Sequence, residues 1–388
     1  MSRGFITGFV VGAVTALAVT ALIVALVGEF EDTDLTSQVS DVIQDDYYKP
    51  VSSSTLDHAS VDGIIRELRH RYHDRFSHYL DPHELKLFEA ASAGRFSGVG
   101  LTVTGVERGL RVADVLPGTP AERAGIEEGD LIIAVDGRSL AGVPAEVSTG
   151  RIKGPPGTQV ELRVVSGSGG RSRNVRLERA SVKVPVAQGE IRRAGTSKIA
   201  YVRYTGFSAG AHGELQQTLE RLYDRGAKGV VLDLRDNGGG LLNEAVLSAS
   251  LFLSKGALVV STDSRTMGHR EYEATGDELA KRPIIVLINR DTASAAEILA
   301  SALGDHRRAT IVGTRSFGKG VFQELIHLSA GGALDLTVGQ YFTPKGVSLA
   351  GTGIKPAVRA ADDPDTPQDE GLRRALAVLA ERIAVENR

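Results

Sequence analysis

The sequence of 388 residues contains no cysteine. This absence excludes disulfide bonds, catalysis by a thiol and metal sites built on thiolates, and it is compatible with an oxidising compartment. A strong charge of one sign is also missing, because 45 lysines and arginines stand against 48 aspartates and glutamates. With a net charge of −3 and no interleaving of basic and aromatic residues, the composition does not support nucleic-acid binding. The length leaves room for two or three domains.

A long apolar run lies near the N-terminus, from Phe5 to Val27. As a helix it would measure about 34 Å, enough to cross the hydrocarbon core of a bilayer. It is longer than the apolar part of a signal peptide, and no clear A-x-A cleavage site follows, so we predict an anchor that is not removed. Arg3 precedes the run and acidic residues follow it. The positive-inside rule then predicts a single-pass protein of the inner (cytoplasmic) membrane, with residues 1–34 as its anchor and its main part extracytoplasmic or periplasmic.

Residues 35–95 are predicted to form a helical N-terminal region. Apolar residues between Leu56 and Leu68 recur on one helical face, with charged residues opposite. Several histidines nearby, together with Asp81, raise the question of a metal site; they are His70, His73, His78 and His83. Their order and spacing match no zinc motif, so we predict no metal site here.

Residues 96–182 contain short β-type runs separated by turns. The string LPGTPAERAGIEEGDLIIAVDG, Leu116–Gly137, closely resembles the PDZ domains of bacterial proteases. Upstream, Gly98-Val99-Gly100-Leu101 stands where such domains keep their carboxylate-binding loop. Glycines let successive N–H groups converge on a terminal carboxylate, and the following strand edge accepts an extended peptide. The resemblance implies that this loop binds substrate tails; a plain hairpin is the structural alternative.

In residues 183–388, strands alternate with helices of 10 to 12 residues, which predicts an α/β core with largely parallel strand pairing. An apolar strand, Pro283–Ile288, leads into a turn that carries Ser294, and an alanine-rich helix starts at about Ala295. A serine at that junction lies beside free helix N–H groups, which favour negative charge. That position suits a nucleophile whose reaction passes through an oxyanion.

Lys319, which follows between two glycines, is the candidate base for this serine. A lysine can act as a base only if its ammonium is desolvated. To be largely neutral near pH 7, its pKa must fall by roughly 3 units from its ordinary value. The same residues also fit a helix-capping serine and a tight turn or anion site, so composition and spacing alone leave the choice open.

Two strings around these residues are TASAAE (Thr292–Glu297) and SFGKGVFQ (Ser316–Gln323). They resemble the active-site signature of the C-terminal processing peptidases, the tail-specific serine proteases of peptidase family S41. The resemblance implies Ser294 as the nucleophile, Lys319 as the base and Gln323 as the residue that holds the lysine amine. It also implies a crotonase-like α/β protease core with an inserted PDZ domain, which cleaves proteins or peptides with free C-terminal tails and needs no metal or cofactor.

The string LDLRDNGGG, Leu232–Gly240, resembles the LDLRxNPGGxL element of the same family, with Gly238 in place of the proline. Glycine N–H groups at the carboxyl end of a strand can supply one oxyanion donor, and the Ala295 N–H can supply the other. Gly239 is the first choice among the glycines.

Two alternatives compete with this hypothesis. The string GFSAG, Gly206–Gly210, has the GxSxG spacing of a nucleophile elbow around Ser208, with His306 or His327 as its later histidine. No HGGG-type oxyanion strand precedes it. The other alternative is a non-catalytic, membrane-tethered PDZ adaptor that binds protein C-termini.

Overall fold

The computed structural model describes residues 35–386 except 168, 277, 280, 363–365 and 367. The predicted anchor, Phe5–Val27, lies outside the described residues. Among the residues that are described, no helix combines the length and the apolar character needed to cross a bilayer. The chain divides into two compact units, with the division between Tyr79 and Leu80.

The first unit contains two helices, α1 (Leu35–Asp46) and α2 (Ser53–Tyr72). Ser52 caps α2 by accepting a hydrogen bond from the Thr55 N–H, and the helix ends at His73, whose backbone is left-handed. Neither helix buries a residue, and Ile64 is 63% exposed. On the apolar face predicted from the helical repeat, Leu56, Val61, Ile65 and Leu68 are half-buried and Ile64 is exposed.

A short strand, β1 (His78–Leu80), spans the division, and α3 (Pro82–Ser92) opens the second unit. Asp81 caps α3 by accepting the N–H groups of His83 and Glu84, while the Glu84 carboxylate accepts the Asp81 N–H at 3.1 Å. The Asp81 carboxylate is thus used in a helix cap. Within the described residues, no three His, Asp or Glu side chains are grouped so that they could hold a metal ion.

The next part of the chain is an antiparallel sheet with two short helices and its own core. The sheet order is β3-β4-β5-β7-β8, with β6 paired to β5, and the separate pair β2–β9 joins the ends of this region. Leu110, Ile132 and Leu162 are fully buried between the sheet and the helices. The elements are β2 (Arg95–Gly98), β3 (Leu101–Val106), β4 (Gly109–Val115), α4 (Pro120–Arg123), β5 (Leu131–Val135), β6 (Arg138–Ser139), α5 (Ala145–Ile152), β7 (Gln159–Val165), β8 (Arg173–Glu178) and β9 (Ala180–Lys183).

The remaining elements form the α/β core. They are β10 (Ala187–Ala194), β11 (Ser197–Tyr204), α6 (Ala211–Asp224), β12 (Val230–Asp233), α7 (Leu242–Ser250), β13 (Leu258–Ser264), β14 (Gly268–Glu273), β15 (Ile284–Ile288), α8 (Ala295–Asp305), β16 (Ala309–Gly313), β17 (Val321–His327), β18 (Ala333–Phe342), β19 (Val358–Arg359) and α9 (Glu370–Glu386). The main sheet has the order β10-β11-β12-β15-β16-β19, and all its neighbours from β11 onward are parallel. The prediction of an α/β core is confirmed.

The residues of the central strand β15 show that the main sheet is covered by helices on both faces. Its sequence, IIVLI, is buried at every position, as expected of a parallel strand between two helical layers. Ile284, Val286 and Ile288 belong to the core that also contains α6, α7 and α8, whereas Ile285 and Leu287 pack with α9. Strands β13, β14, β17 and β18 form a second, antiparallel sheet.

The topology brings three loops together at one edge of the main sheet. Strands β12, β15 and β16 are parallel neighbours, so the loops that leave their carboxyl ends lie side by side. These loops carry residues 234–241, 289–294 and 314–320. The carboxyl edge of a parallel sheet is the usual place for a functional site.

Candidate active site

Ser294 occupies a strained turn between β15 and α8. Its backbone φ of 56° and ψ of −122° lie in a region where residues other than glycine are rarely found. Thr292 Oγ1 donates to Leu234 O at 2.8 Å, and the Ala293 N–H donates to Asn237 O at 2.9 Å. A strained backbone conformation of this kind persists only where contacts with the surrounding residues hold it in place. These bonds therefore hold the serine at the N-terminus of α8.

Glu297, in the first turn of α8, connects the serine turn to the lysine loop. Its Oε2 accepts the Ser294 N–H at 3.1 Å and the Lys319 N–H at 3.0 Å. Its Oε1 accepts Ser316 Oγ at 2.6 Å and the Gly318 N–H at 2.8 Å. Burial raises the pKa of this carboxyl above its ordinary value, and the donated hydrogen bonds oppose the rise. One buried side chain thus positions the backbone of both residues of the predicted dyad.

Sequence reasoning did not assign a role to Glu297, which stood only at the end of the TASAAE string. Its position in the sequence could have indicated a role, because it lies in the first turn of a helix whose other residues are mostly apolar. Glutamate is almost never fully buried unless it is paired. A glutamate predicted to face such a core therefore needs several donors nearby, and here four are present.

Lys319 lies in the loop between β16 and β17 with its amine partly buried. Nζ donates to Gln323 Oε1 at 2.6 Å, while Gln323 Nε2 donates to Thr337 Oγ1 at 3.1 Å. The second bond orients the amide so that its oxygen faces the lysine. Burial lowers the pKa of the Lys319 amine, and the negative charges of Asp335 and Glu297 oppose part of that shift. A lowered pKa is what a lysine base requires.

The two glycines beside Lys319 allow another segment of the chain to pack directly against its loop. A Cβ at Gly318, where φ is 86°, would lie 2.8 Å from Gly353 N. A Cβ at Gly320 would lie 2.5 Å from Ala350 N. Because both partners are backbone atoms, neither position has room for a side chain. The glycines thus hold Lys319 against residues 350–353.

Gly239 and Ala295, the predicted oxyanion donors, both lie beside Ser294. A Cβ on Gly239 would come within 2.7 Å of Ser294 Cβ and 2.9 Å of the Ala295 nitrogen. The Ala295 N–H is the first of α8, where no carbonyl of the helix can accept it. The Gly239 N–H, by contrast, donates to Asn237 Oδ1 at 2.9 Å. To serve as an oxyanion donor, it would have to share or release that bond.

The string Gly98-Val99-Gly100-Leu101 connects β2 to β3 and belongs to the antiparallel sheet region, away from the core under Ser294. Val99 O accepts the Ala121 N–H at 2.9 Å, and Gly100 O accepts the Leu116 N–H at 3.0 Å. In a trans peptide the C=O and N–H point in opposite directions. The N–H groups of Gly100 and Leu101 therefore point away from the interior of the domain.

A cavity of about 90 Å³ adjoins this loop. Its walls include Leu101 and Val103 of β3 and Ile152 of α5. A strand edge, an apolar hollow and outward N–H groups are thus grouped on one side of the domain. This arrangement suits an extended peptide that ends in an apolar residue and a free carboxylate.

The alternative nucleophile, Ser208, lies in the connection between β11 and α6. His306 Nε2 lies 2.7 Å from Leu258 O, and His327 Nε2 lies 3.2 Å from Glu89 Oε1. Both histidines that a nucleophile elbow could use are thus engaged elsewhere. Neither histidine is therefore available as the base that the nucleophile-elbow interpretation requires for Ser208.

Comparison with known proteins supports the interpretation of the fold and of the family. The family model of peptidase family S41 matches residues 198–360, and the PDZ-domain model matches residues 90–165. A carboxy-terminal-processing protease of Bartonella bacilliformis is 35% identical over 304 residues, which are 77% of this chain and 68% of that protein. A carboxyl-terminal-processing protease of Synechocystis sp. is 34% identical over 335 residues, which are 84% of this chain and 78% of that protein.

Among solved structures, the photosystem II D1 C-terminal processing protease is similar to this chain at a TM-score of 0.51 and 32% identity. The match covers 88% of this chain and 90% of that protein. Fold and sequence together define a serine peptidase that carries a PDZ domain. The chain belongs to peptidase family S41, among the carboxy-terminal-processing proteases.

Proposed function

We propose that this protein is a membrane-anchored serine endopeptidase that uses Ser294 and Lys319 as a dyad to cleave proteins recognised by their C-terminal tails. The environment of Lys319 carries the proposal. Its amine is partly buried, its pKa is lowered by that burial, and it is held 2.6 Å from Gln323 Oε1. Glu297 binds the backbone N–H groups of both dyad residues. A permanently charged lysine would be unable to accept the serine proton.

In the proposed reaction, neutral Lys319 takes the proton of Ser294 Oγ as this oxygen attacks the peptide carbonyl carbon. The carbonyl oxygen becomes an oxyanion, which the Ala295 N–H and the N-terminus of α8 stabilise. The C–N bond then breaks, and the protonated lysine gives its proton to the leaving amine. Water, activated by the same lysine, hydrolyses the acyl-serine and regenerates Ser294.

The PDZ domain would select substrates by their free C-termini. The carboxylate would bind the N–H groups of the loop Gly98-Val99-Gly100-Leu101, and the last side chain would enter the apolar cavity beside Ile152. We further propose that Phe5–Val27 anchors the chain in the inner membrane with its catalytic part on the extracytoplasmic, periplasmic side. Substrates would then be proteins met outside the cytoplasm.

The first experiment compares the wild type with Ser294→Ala and Lys319→Arg on a substrate with a flexible, apolar C-terminal tail. Both variants should lose cleavage, because one lacks the nucleophile and the guanidinium of the other stays charged. Both should still bind the tail peptide. Normal cleavage by Lys319→Arg would exclude the lysine as the base.

Covalent labelling with a fluorophosphonate, followed by peptide mapping, distinguishes the remaining candidates. Modification of Ser294 alone supports the dyad, whereas modification of Ser208 supports the elbow alternative. A chain that binds tails but is neither labelled nor active would be a tethered PDZ adaptor.

Tail recognition is tested separately by Gly100→Val. Gly100 has a φ of 87°, and a Cβ there would lie 2.2 Å from Thr119 Cβ. The variant should therefore distort the loop and weaken binding of a tail peptide at least tenfold. Gly213→Ala, at an open position in α6, is the control. A tail peptide with an amidated C-terminus should bind the wild type as poorly as the free acid binds Gly100→Val; equal affinity of amide and acid would contradict the proposed role of the loop.

A further inference from the structure

Asp335 lies on β18, two residues before Thr337, the residue that fixes the Gln323 amide. Side chains two residues apart on a strand point to the same face. Thr337 lies opposite Gln323 in the pairing of β17 with β18, and their side chains are hydrogen-bonded. Asp335 is therefore a diagonal neighbour of Gln323 on one face, about 7–8 Å away and within reach of long side chains. This carboxylate, for which the sequence predicted no role, thus lies near the Lys319 amine that Gln323 binds.

The Asp335 carboxylate is placed so that its charge acts on that amine. Its residue is half-buried, so water screens the charge less than at an exposed site. Burial lowers the pKa of Lys319, and Asp335 opposes this fall more strongly than Glu297 does. Of the carboxylates in the described part of the chain, Asp335 therefore has the largest effect on the base.

The other ionisable groups near Lys319, within the residues that the structure describes, are Glu297 of α8 and Tyr341 of β18. The two oxygens of Glu297 already accept four donors. Burial raises the pKa of the Tyr341 phenol well above its ordinary value, so this group stays neutral. Gln323 is an uncharged amide, and the residues 350–353 that pack against the lysine loop include no ionisable side chain. Asp335 is thus the charge that can be changed without removing the contacts that hold the dyad.

A lysine base has to meet two requirements that oppose each other. It must be neutral at the working pH, and it must bind a proton strongly enough to take one from a serine hydroxyl. Desolvation of the amine favours the neutral form but also makes the amine a weaker base. A carboxylate nearby strengthens the base again, because it stabilises the ammonium that forms during proton transfer.

We propose that Asp335 tunes Lys319 as the base, with its carboxylate offsetting part of the desolvation of the amine and stabilising the ammonium formed when the serine proton is transferred. Asp335 acts through Lys319 and is therefore a positioning residue. This role rests on the proposed dyad. It predicts a changed pH dependence, in contrast to the uniform loss of activity that a purely structural residue would give.

The first test is the pH profile of kcat/KM for the wild type and Asp335→Asn on a substrate with a flexible, apolar C-terminal tail. Without the carboxylate the amine loses its proton at lower pH, so on the acidic limb the variant should be at least twofold faster than the wild type. On the alkaline plateau it should be at least twofold slower, because its base is weaker. The two profiles should therefore cross. Coinciding profiles, or an equal loss at every pH, would overturn the proposal.

Matched variants separate the charge of Asp335 from the shape of its side chain. Asp335→Ala also removes the charge and should change the profile in the same direction, so one neutral variant suffices if urea denaturation shows that the other does not fold. Asp335→Glu keeps the charge and should stay closer to the wild type. Glu324→Gln removes an exposed carboxylate next to Gln323, on the opposite face of β17, and should leave the profile unchanged. A crossing as large in Glu324→Gln as in Asp335→Asn would contradict a specific role of Asp335.

Amine reactivity tests the tuning without any need for peptidase activity. The full chain carrying Ser294→Ala is treated with trace acetic anhydride at a series of pH values, and acetylated Lys319 is quantified by peptide mapping against the exposed Lys281. When Asp335→Asn is added, acetylation of Lys319 should begin at lower pH, whereas that of Lys281 should not change. An identical onset for Lys319 would overturn the proposal. An earlier onset in a protein whose wild type cleaves no tailed substrate would support the tuning and contradict the proposed peptidase activity instead.

Discussion

The Lys319 amine lies 2.6 Å from Gln323 Oε1, and that amide is in turn fixed by Thr337. A neutral partner at this position leaves the lowered pKa of Lys319 intact, because it adds no negative charge. In the proposed mechanism, Gln323 would position the Lys319 amine without adding a charge beside it.

The first prediction concerns Gln323→Glu. A carboxylate beside the amine should raise the pKa of Lys319, because opposite charges favour each other's ionised forms. At pH 7 kcat/KM should fall at least tenfold, and much of it should return at higher pH. The measurement is a pH profile of kcat/KM. Gln159→Glu, at an exposed position in β7, is the matched control. An equal loss at every pH would contradict an effect through the pKa.

The second prediction concerns Glu297→Gln. Its two oxygens accept four donors, and an amide NH2 in place of one oxygen would face N–H groups that it cannot accept. The variant should lose about 1–3 kcal/mol in the free energy of unfolding and at least 100-fold in kcat. Urea denaturation and steady-state kinetics measure the two effects. Glu381→Gln, at the surface of α9, should change neither.

The same variant tests the raised pKa of Glu297. A carboxyl whose pKa is higher in the folded than in the unfolded state binds more protons when folded, so its contribution to stability is lost as pH rises. The stability of the wild type relative to Glu297→Gln should therefore fall as pH rises from about 4.3 through the raised pKa. A difference that grows with pH over this range would show that the pKa is lowered instead.

The third prediction concerns Arg235, which joins β12 to the N-terminus of α9. Its guanidinium lies 2.7 Å from Asp233, 2.8 Å from Asp369 and 2.9 Å from Asp362. Arg235→Ala would remove the positive charge next to Asp233, whose side chain is 1% exposed. We expect a loss of about 3–5 kcal/mol in the free energy of unfolding, measured with urea.

Arg203→Ala is the control for this prediction. Arg203 lies 3.3 Å from Asp236, and both side chains are about half exposed, at 49% and 58%. Such a pair contributes roughly 0–1 kcal/mol. Equal losses for the two variants would mean that the buried cluster stabilises the fold no more than a surface ion pair does.

The fourth prediction concerns Gly320→Ala. The new Cβ would lie 2.5 Å from Ala350 N, a backbone atom that cannot move without displacing its segment. We expect kcat to fall at least tenfold because the loop of Lys319 would shift. Gly213→Ala in α6 meets nothing within 4 Å and should raise stability by up to about 1 kcal/mol. Full activity of Gly320→Ala would contradict the role of this close contact.

Local patterns in the sequence predicted the alternation of strands and helices and the place of Ser294 at the start of α8. The strand β15 was recognisable because a short apolar run before a turn and a helix is typical of a buried parallel strand. The TASAAE and SFGKGVFQ strings indicated which serine and which lysine are the candidates for the nucleophile and the base.

Contacts between distant segments were not predictable in the same way. The bonds from Glu297 to Ser316, Gly318 and Lys319 depend on how the loop after β16 returns to α8. The bond between Gly239 and Asn237 depends on the conformation of one loop, which its composition does not specify. The apolar face of α2, which is only half-buried, shows a further limit, because helical periodicity identifies an apolar face without identifying what covers it.

The most direct test of the account is the rate at which a fluorophosphonate labels Ser294 as a function of pH. Labelling requires the same proton transfer as peptide cleavage, without tail recognition or release of an amine. In the wild type, the rate should rise through a single pKa below the ordinary lysine value of about 10.4, and Lys319→Arg should remove that rise. A rate that rises only near pH 10.4, or an identical profile in Lys319→Arg, would contradict a neutral Lys319 as the base.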